Sequence, residues 1–290
     1  MTYLLYNPLS GNRSAQETAN LLSTLQVKDS VSINLTEIKE YREFFSRIEP
    51  NDTVILCGGD GTLNRFANDT DGIEIACELL YYPIGTGNDF AHDVGYGDQS
   101  APFSVKEYLR NLPSTEINGK QYRFINNVGF GIDGYCCEVG DKLKTTSDKP
   151  INYTMIAIKG LLFHFKPTNA TVTVDGKEYT YRNVWLAPTM KGRFYGGGMM
   201  PTPNQDRNDP DGKVSVMILY GAGKLKTLTV FPSIFKGEHV KHTEMVAIHT
   251  GHEISVTFDR PTALQIDGET LLGVTEYRVR AGVPAVSVHR

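Results

Sequence analysis

The stretch Val54-Ile55-Leu56-Cys57-Gly58-Gly59-Asp60-Gly61-Thr62-Leu63-Asn64 constrains this chain more than any other. A short apolar strand stops at three glycines wrapped around one aspartate, and a helix-compatible segment follows. Lacking a Cβ, glycines let the backbone bend sharply and approach a ligand, so several N–H groups can converge on one anion. A helix opening directly after such a turn adds its first-turn N–H groups and the positive end of its dipole. Strand, glycine turn and helix in this order predict a phosphate site in an α/β layer, with a structural tight turn as the competing reading. Asp60 is the odd member, because a bare carboxylate repels phosphate. It belongs there if it holds a metal ion or takes a proton.

The surrounding pattern agrees with an α/β domain over residues 1–118 with a mostly parallel sheet. Strands are expected at Tyr3–Tyr6, Val31–Leu35, Val54–Cys57 and Tyr81–Ile84. Helices are expected at Ser14–Leu25, Glu40–Ile48, Leu63–Asn68 and Ser104–Asn111. From Gly119 onward short alternating strands dominate, at Tyr122–Val128, Ala170–Val174, Lys177–Leu186, Lys213–Leu219, Met245–His249, Glu253–Phe258, Ala263–Ile266 and Ala285–His289. Turn residues such as Asp175-Gly176 separate them. Residues 119–290 therefore read as an antiparallel β-sandwich, interrupted by helices near 151–165 and 224–235.

A length of 290 residues suits two such domains, and 40% hydrophobic with 21% charged residues is a globular composition rather than a disordered one. A net charge of −4 with no basic block argues against a nucleic-acid surface. No apolar run approaches the ~18 residues of a membrane span, and Met1–Pro8 lacks the features of a signal peptide. Cys57, Cys77, Cys136 and Cys137 show no framework spacing, so free thiols in a reducing cytosol are expected.

Other segments carry weaker signals. Asn7-Pro8-Leu9-Ser10-Gly11 follows a parallel-sheet strand, where ligands of open α/β folds gather, but alone it is an ordinary turn. Gly85-Thr86-Gly87-Asn88-Asp89-Phe90 is a second glycine turn after the next strand, suited to a phosphate tail and an incoming hydroxyl. A Walker-type P-loop is absent. Gly129-Phe130-Gly131-Ile132-Asp133-Gly134 matches the dinucleotide fingerprint in letters, yet lies where the chain turns antiparallel, and reads as a structural bend. Asp206, Asp209 and Asp211 cluster in a turn that is either solvated or a Mg²⁺ or Ca²⁺ site. Gln265-Ile266-Asp267-Gly268-Glu269 ends a strand with two acids flanking a glycine, either a hairpin turn or a general-base and metal site. His239, His242, His249 and His252 lie close in sequence without the convergence zinc needs. Met155–Phe165 is apolar nearly all round, which is core packing, an acyl-chain wall or a membrane-docking edge.

Together these residues resemble the diacylglycerol kinase catalytic-domain family, which also includes sphingosine and ceramide kinases and compact bacterial lipid kinases. The resemblance rests on an ordered set, NPLSG, GGDGTLN, PIGTGNDFA, FINNVGFG, DPDG, GEHVKH and IDGE, running from Tyr6 to about Glu269. It implies a first domain like that of NAD kinases and phosphofructokinases, followed by the β-sandwich. It implies ATP in the interdomain cleft, contacted by Asn7, Pro8, Leu9, Ser10, Gly11, Thr36, Gly58, Gly59, Asp60, Gly61, Thr62, Leu63, Asn64 and Thr86. Glu269, with Asp267 close behind, matches the family's proton acceptor. Asp211, with backbone oxygens of Asn208 and Lys213, matches a magnesium site. Asp60, Asn88 and Asp89 would organise the catalytic Mg²⁺ and the acceptor hydroxyl.

The expected activity is Mg²⁺-dependent transfer of the γ-phosphate of ATP to the hydroxyl of a diacylglycerol-like or sphingoid lipid. A carboxylate accepts the hydroxyl proton, and glycine-loop amides neutralise the developing charge. The alternatives are a kinase for a soluble acceptor of NAD or sugar type, and a non-catalytic lipid-binding regulator. The implied setting is cytoplasmic with peripheral membrane contact, the lipid being presented at a membrane surface, with no nucleic acid and no transmembrane segment. An exposed strand edge in the second domain could pair with a copy of itself in a homodimer.

Overall fold

Residues 1–8, 29–97, 101–146 and 151–282 are described by the computed structural model, and the chain divides into two units, Met1–Arg110 and Asn111–Arg290. The expected helix Ser14–Leu25 and strand Ala285–His289 lie outside the described residues.

The first unit is built on β1 (Thr2–Tyr6), β2 (Ser30–Asn34), β3 (Thr53–Gly58), β4 (Glu78–Pro83) and β5 (Phe103–Ser104), in the order β2-β1-β3-β4-β5. The first four strands are parallel and β5 runs antiparallel to β4. β3, central in the sheet, is buried from Val54 to Gly58, as a parallel strand covered on both faces must be. Among the described residues four α-helices accompany the sheet: α1 (Tyr41–Phe45), α2 (Asp60–Asp69), α3 (Asp89–Asp93) and α4 (Lys106–Arg110). Tyr41 and Phe45 of α1 pack against Phe66 of α2, with ring centroids 5.5 and 6.2 Å apart. α2 begins three residues before the expected Leu63, so Asp60 is its first residue.

Register explains where a site can form. Tyr6 lies opposite both Asn34 and Cys57, and Gly58 lies opposite Pro83. The four parallel strands thus end together. The segments beginning at Asn7, Leu35, Gly59 and Ile84 all leave from one carboxyl edge, the edge at which open α/β sheets bind ligands.

The second unit opens with β6 (Ser114–Ile117), β7 (Lys120–Arg123), β8 (Asn127–Gly131), α5 (Ile132–Lys144) and α6 (Tyr153–Lys159), which runs into a π turn at Gly160–His164. Then come β9 (Thr168–Val174), β10 (Lys177–Val184), β11 (Leu186–Met190), β12 (Val214–Leu219), α7 (Lys224–Val230), β13 (Val246–Gly251), β14 (Glu253–Ile266) and β15 (Glu269–Arg280). The sheet order is β13-β12-β11-β8-β14-β15-β6-β7, with β9 on β14 and β10 on β9. Every pair is antiparallel. The first part of β14 pairs with β9 and the last part with β8, and its register with β15 shifts between Thr257 and Leu264. Such an irregularity bends a strand and curls its sheet. Side chains alternate across β12: Val214, Val216 and Ile218 join one core with Phe130, Val256 and Leu264. Met217 and Leu219 join another with Trp185, Leu161 and Ile132.

Several expected boundaries change. Tyr122–Val128 is two strands with a bend between them, and Lys177–Leu186 divides at Trp185. Glu253–Phe258 and Ala263–Ile266 are one strand. The sequence reading missed β15, whose charged outer positions and Gly273 hide its alternation, and it missed α5. The GFGIDG segment is a strand-to-helix handover packed tightly: a Cβ on Gly134 would lie 2.3 Å from the Ala263 carbonyl oxygen.

Candidate functional site

The turn after β3 is held from below. The buried Tyr81 hydroxyl donates to the Gly58 carbonyl at 3.0 Å, and the Ile84 N–H donates to the same oxygen at 2.9 Å. The chain passes over Gly59 into α2, whose first helical bond runs from the Leu63 N–H to the Gly59 carbonyl at 3.1 Å. Residues 60–62 therefore form the first turn, at the positive end of the helix dipole. Thr62, Leu63 and Asn64 are buried, anchoring the helix, while Gly61 is exposed.

The second turn is closed by Asn88, which adopts φ 49°. Its Oδ1 accepts the Gly85 N–H at 2.9 Å, and its Nδ2 donates to the Gly85 carbonyl at 3.1 Å. Gly59 and Gly85 touch main chain to main chain: a Cβ on Gly85 would lie 2.6 Å from the Gly59 Cα. The Asp60 carboxylate accepts the N–H of Asp89 at 2.9 Å and of Phe90 at 2.8 Å, capping α3. The two glycine turns are thus one object. The sequence reading left Asp60 two roles, metal ligand or proton acceptor, and missed this third one, because its partners lie 29 and 30 residues away. Asp89 is buried, and Phe90 packs among Tyr81, Phe103 and Tyr108.

Around this pair the same strand edge places Asn7 and Pro8 after β1, and Thr36 after β2. The Asn34 side chain accepts both the Thr36 N–H and its hydroxyl, at 3.0 and 2.9 Å. Thr86 lies within the second turn. Leu9, Ser10 and Gly11 lie outside the described residues.

In the second unit, Asp267 and Gly268 are the central residues of the β14–β15 hairpin, with φ 45° and 90° and Ile266 opposite Glu269. Asp-Gly with both φ values positive is the primed turn that matches strand twist. The hairpin reading is therefore right, but Asp267 is not a solvated acid. Its carboxylate accepts the main-chain N–H groups of Ile125, Asn126 and Asn127 at 2.6, 2.8 and 2.9 Å, and its own N–H donates to the Asn127 carbonyl at 3.0 Å. The buried Arg207 holds the same bend, donating to the Ile125 carbonyl at 2.6 Å and to Asn126 Oδ1 at 2.7 Å. Glu269, two residues on, is exposed, and its carboxylate makes no hydrogen bond among the described residues. One acid is tied down and the other is presented.

Behind the hairpin lies a buried polar group that the sequence reading did not assign. Gln265 Nε2 donates to Asp133 Oδ2 at 3.1 Å, and Gln265 Oε1 accepts the Gly268 N–H at 3.0 Å. Tyr195 donates to the same Asp133 oxygen at 3.4 Å, and the Gly134 N–H to the other at 2.8 Å. Burial pushes the Asp133 carboxyl above the ordinary carboxylate range, partly offset by these donors. The side-chain amide of Asn127 is buried beside this strand end with no partner among the described residues. The signal available in sequence was an acid and a glutamine at buried positions of apolar segments.

The expected magnesium residues sit in a turn that uses its acids internally. Asp206 accepts the Asn208 N–H at 2.8 Å, and Asp209 accepts those of Asp211 and Lys213, each at 3.1 Å. The Lys213 ammonium lies 2.6 Å from the Asp211 carboxylate and holds it below the usual carboxylate range. The Lys213 ammonium is thus a competitor for the one carboxylate that the expected magnesium site would use. Among the described residues no three His, Cys, Asp or Glu side chains converge. The histidines do not converge either: buried His239 is hydrogen-bonded to the Pro201 carbonyl at 2.8 Å, and His249 stacks on Tyr179. Among the described residues no helix is long and apolar enough to cross a membrane.

Residues 1–116 match the diacylglycerol kinase catalytic domain, and residues 126–288 match the YegS C-terminal NAD kinase beta sandwich-like domain. A diacylglycerol kinase of Mycobacterium tuberculosis is 27% identical over 253 residues, covering 83% of this chain and 80% of that protein. A diacylglycerol kinase of Bacillus subtilis is 28% identical over 225 residues, covering 75% and 71%. The fold is shared with the crystal structure of a diacylglycerol kinase from Bacillus anthracis, at TM-score 0.58 and 19% identity over 99% of this chain and 97% of that one. The two family models together reach from residue 1 to residue 288, and the chain belongs to the diacylglycerol kinase catalytic-domain family of lipid kinases.

Proposed function

We propose that this protein transfers the γ-phosphate of ATP to the hydroxyl of a neutral lipid, of diacylglycerol or sphingoid type. The observation that carries this reading is the fusion of the two glycine turns through Asp60, which makes a rigid main-chain cradle at the carboxyl edge of the sheet. ATP, entering as its Mg²⁺ complex, is held there by Gly58–Asn64, Thr86, Thr36 and the segment from Asn7 to Gly11. The first-turn amides of α2 stabilise charge on the transferred group, and positioning supplies most of the rate. Asn88 and Asp89 shape the second turn, on which the acceptor hydroxyl is oriented.

An alcohol attacks phosphorus poorly while it keeps its proton. The exposed Glu269 carboxylate takes that proton as the new O–P bond forms and the bond to ADP breaks, ADP leaving with the electron pair. Asp267 cannot serve as well, since its oxygens are already engaged by three main-chain donors. It positions the hairpin instead. No step is assigned to a metal at Asp211.

The test is transfer from γ-labelled ATP to diacylglycerol or a sphingoid base in mixed micelles, with NAD and sugars as soluble acceptors and Glu269→Gln alongside. Label in one organic-phase product, lost in the variant, is the expected result. Label in NAD or a sugar instead would replace the lipid with a soluble acceptor.

A further inference from the structure

We propose that Gln265 and Thr270 are positioning residues, through which α5 sets the direction in which Glu269 leaves the β14–β15 hairpin. The inference rests on the reading of Glu269 as the proton acceptor. A carboxylate in that role must stand within hydrogen-bond reach of the proton it takes. A misplacement of about 1 Å can cost about 100-fold in rate. Yet the Glu269 carboxylate makes no hydrogen bond among the described residues, so nothing at its own tip aims it. Its aim comes from the main chain on either side.

Both sides are tied to one helix. Before Glu269, the Gly268 N–H donates to Gln265 Oε1 at 3.0 Å, and Gln265 Nε2 donates to Asp133 Oδ2 at 3.1 Å, in the first turn of α5. After Glu269, the Thr270 hydroxyl donates to Asp141 Oδ2 at 2.7 Å, in the third turn of the same helix. Each tie has a fixed polarity. The Gly134 N–H donates to Asp133 Oδ1 at 2.8 Å and the Tyr195 hydroxyl to Oδ2 at 3.4 Å, so Asp133 accepts at both oxygens and takes Gln265 by its N–H₂ end. The amide oxygen is left facing Gly268; turned round, the amide would set one donor against another. Asp141 Oδ1 pairs with the Lys144 ammonium at 3.1 Å, which leaves Oδ2 for Thr270. The helix itself is seated towards both ends. Gly134 lies against the Ala263 carbonyl of β14, and a Cβ on Gly140 would lie 2.7 Å from the Tyr153 ring of α6. The Asp-Gly turn closes through its own backbone angles and the three bonds of Asp267. What Gln265 and Thr270 add is the heading of the residue between them, the kind of support that holds a reacting group to its productive geometry.

The full chain is assayed for transfer from ATP to diacylglycerol in mixed micelles, as wild type, Gln265→Met, Thr270→Val, Thr270→Ser, Asp141→Ala, Thr270→Val/Asp141→Ala and Glu269→Gln. Thermal melts confirm folding of each, and Asp141→Ala, at a half-exposed side chain, keeps the test open should Thr270→Val unfold. Gln265→Met, Thr270→Val and Asp141→Ala are each expected to lose at least tenfold in kcat with KM for ATP within twofold of wild type. Amide hydrogen exchange at residues 268–270 should rise at least tenfold in the same variants. Thr270→Ser, which keeps the hydroxyl, should recover most of the rate, and the double variant should fall no further than either single one. Rates of Thr270→Val and Asp141→Ala within twofold of wild type, with transfer lost in Glu269→Gln, overturn the proposal and leave the proton-acceptor reading standing. Additive losses in the double variant, or tip exchange that does not change, overturn it as well. No transfer by wild type, or full transfer by Glu269→Gln, removes the proton-acceptor reading and this proposal with it.

Discussion

The amide nitrogen of Asp89 lies 2.9 Å from the Asp60 carboxylate, across two turns that are separate in sequence and continuous in space. Asp60→Ala removes two charge-assisted bonds and leaves two half-buried amides unpaired, which costs about 2–4 kcal/mol. Urea unfolding should show that loss, and ATP transfer should fall at least 100-fold. Asp60→Asn keeps an acceptor and should recover part of the stability. An alanine variant as stable as wild type would show that the two turns stand without the carboxylate.

Gly85→Ala forces a methyl group to within 2.6 Å of the Gly59 main chain. The turns must part, at a cost of about 1–3 kcal/mol. ATP affinity measured by calorimetry should drop more than tenfold, whereas Gly61→Ala, with open space at its Cβ, should bind nearly normally.

Asp267 and Glu269 should separate cleanly by two readouts. Asp267→Ala strands three main-chain donors and should lower stability by about 3 kcal/mol or more in denaturant melts. Glu269→Gln alters an exposed side chain and should leave the melt unchanged while reducing transfer by 100-fold or more. A Glu269→Gln enzyme with normal kcat would move the proton acceptor elsewhere.

Asp133 gives a pH signature. Its folded carboxyl titrates above the unfolded value of 3.8 because it is buried. The stability tied to the protonated form is complete below that unfolded value and is lost as pH rises through the raised folded one. Asp133→Asn, which never ionises, should therefore gain on wild type in melting temperature between pH 4 and pH 8. A constant difference across that range would mean that the carboxyl ionises as easily inside the protein as in the unfolded chain.

Lys213→Met frees the Asp211 carboxylate from its ammonium. Wild-type melting should be insensitive to millimolar Mg²⁺ without nucleotide, and the variant should acquire a Mg²⁺-dependent rise. An equal rise in wild type would show a divalent ion displacing the lysine.

Much of this was legible before any coordinates. Gly58–Asn64 and Gly85–Phe90 announced themselves because their residue types have few other uses, and a parallel first sheet followed from strands alternating with helices. The contact between the two turns was not legible, since nothing local to Asp60 points to Asp89. The different duties of Asp267 and Glu269 were equally hidden: both are acids on one turn, and only the bend at Ile125–Asn127 distinguishes them. α5 escaped because Gly134 and Gly140 lower its intrinsic helix propensity, and packing against β14 and α6 overrides that. The pairing of Lys213 with Asp211 was not legible either, since two residues of spacing do not say which way a long side chain turns.

The Asp267 bond to Ile125 joins positions 142 residues apart. The β14–β15 hairpin is a local structure and can zip early, but its tip is fastened only when nearly the whole second unit has been threaded through its long-range pairings. Until that tip is fastened, Glu269, the proposed proton acceptor, hangs on a loose end. On the proposed mechanism, phosphoryl transfer therefore requires the whole second unit to be in register, and cutting the chain between Ile125 and Asp267 would unfasten the acid without touching it.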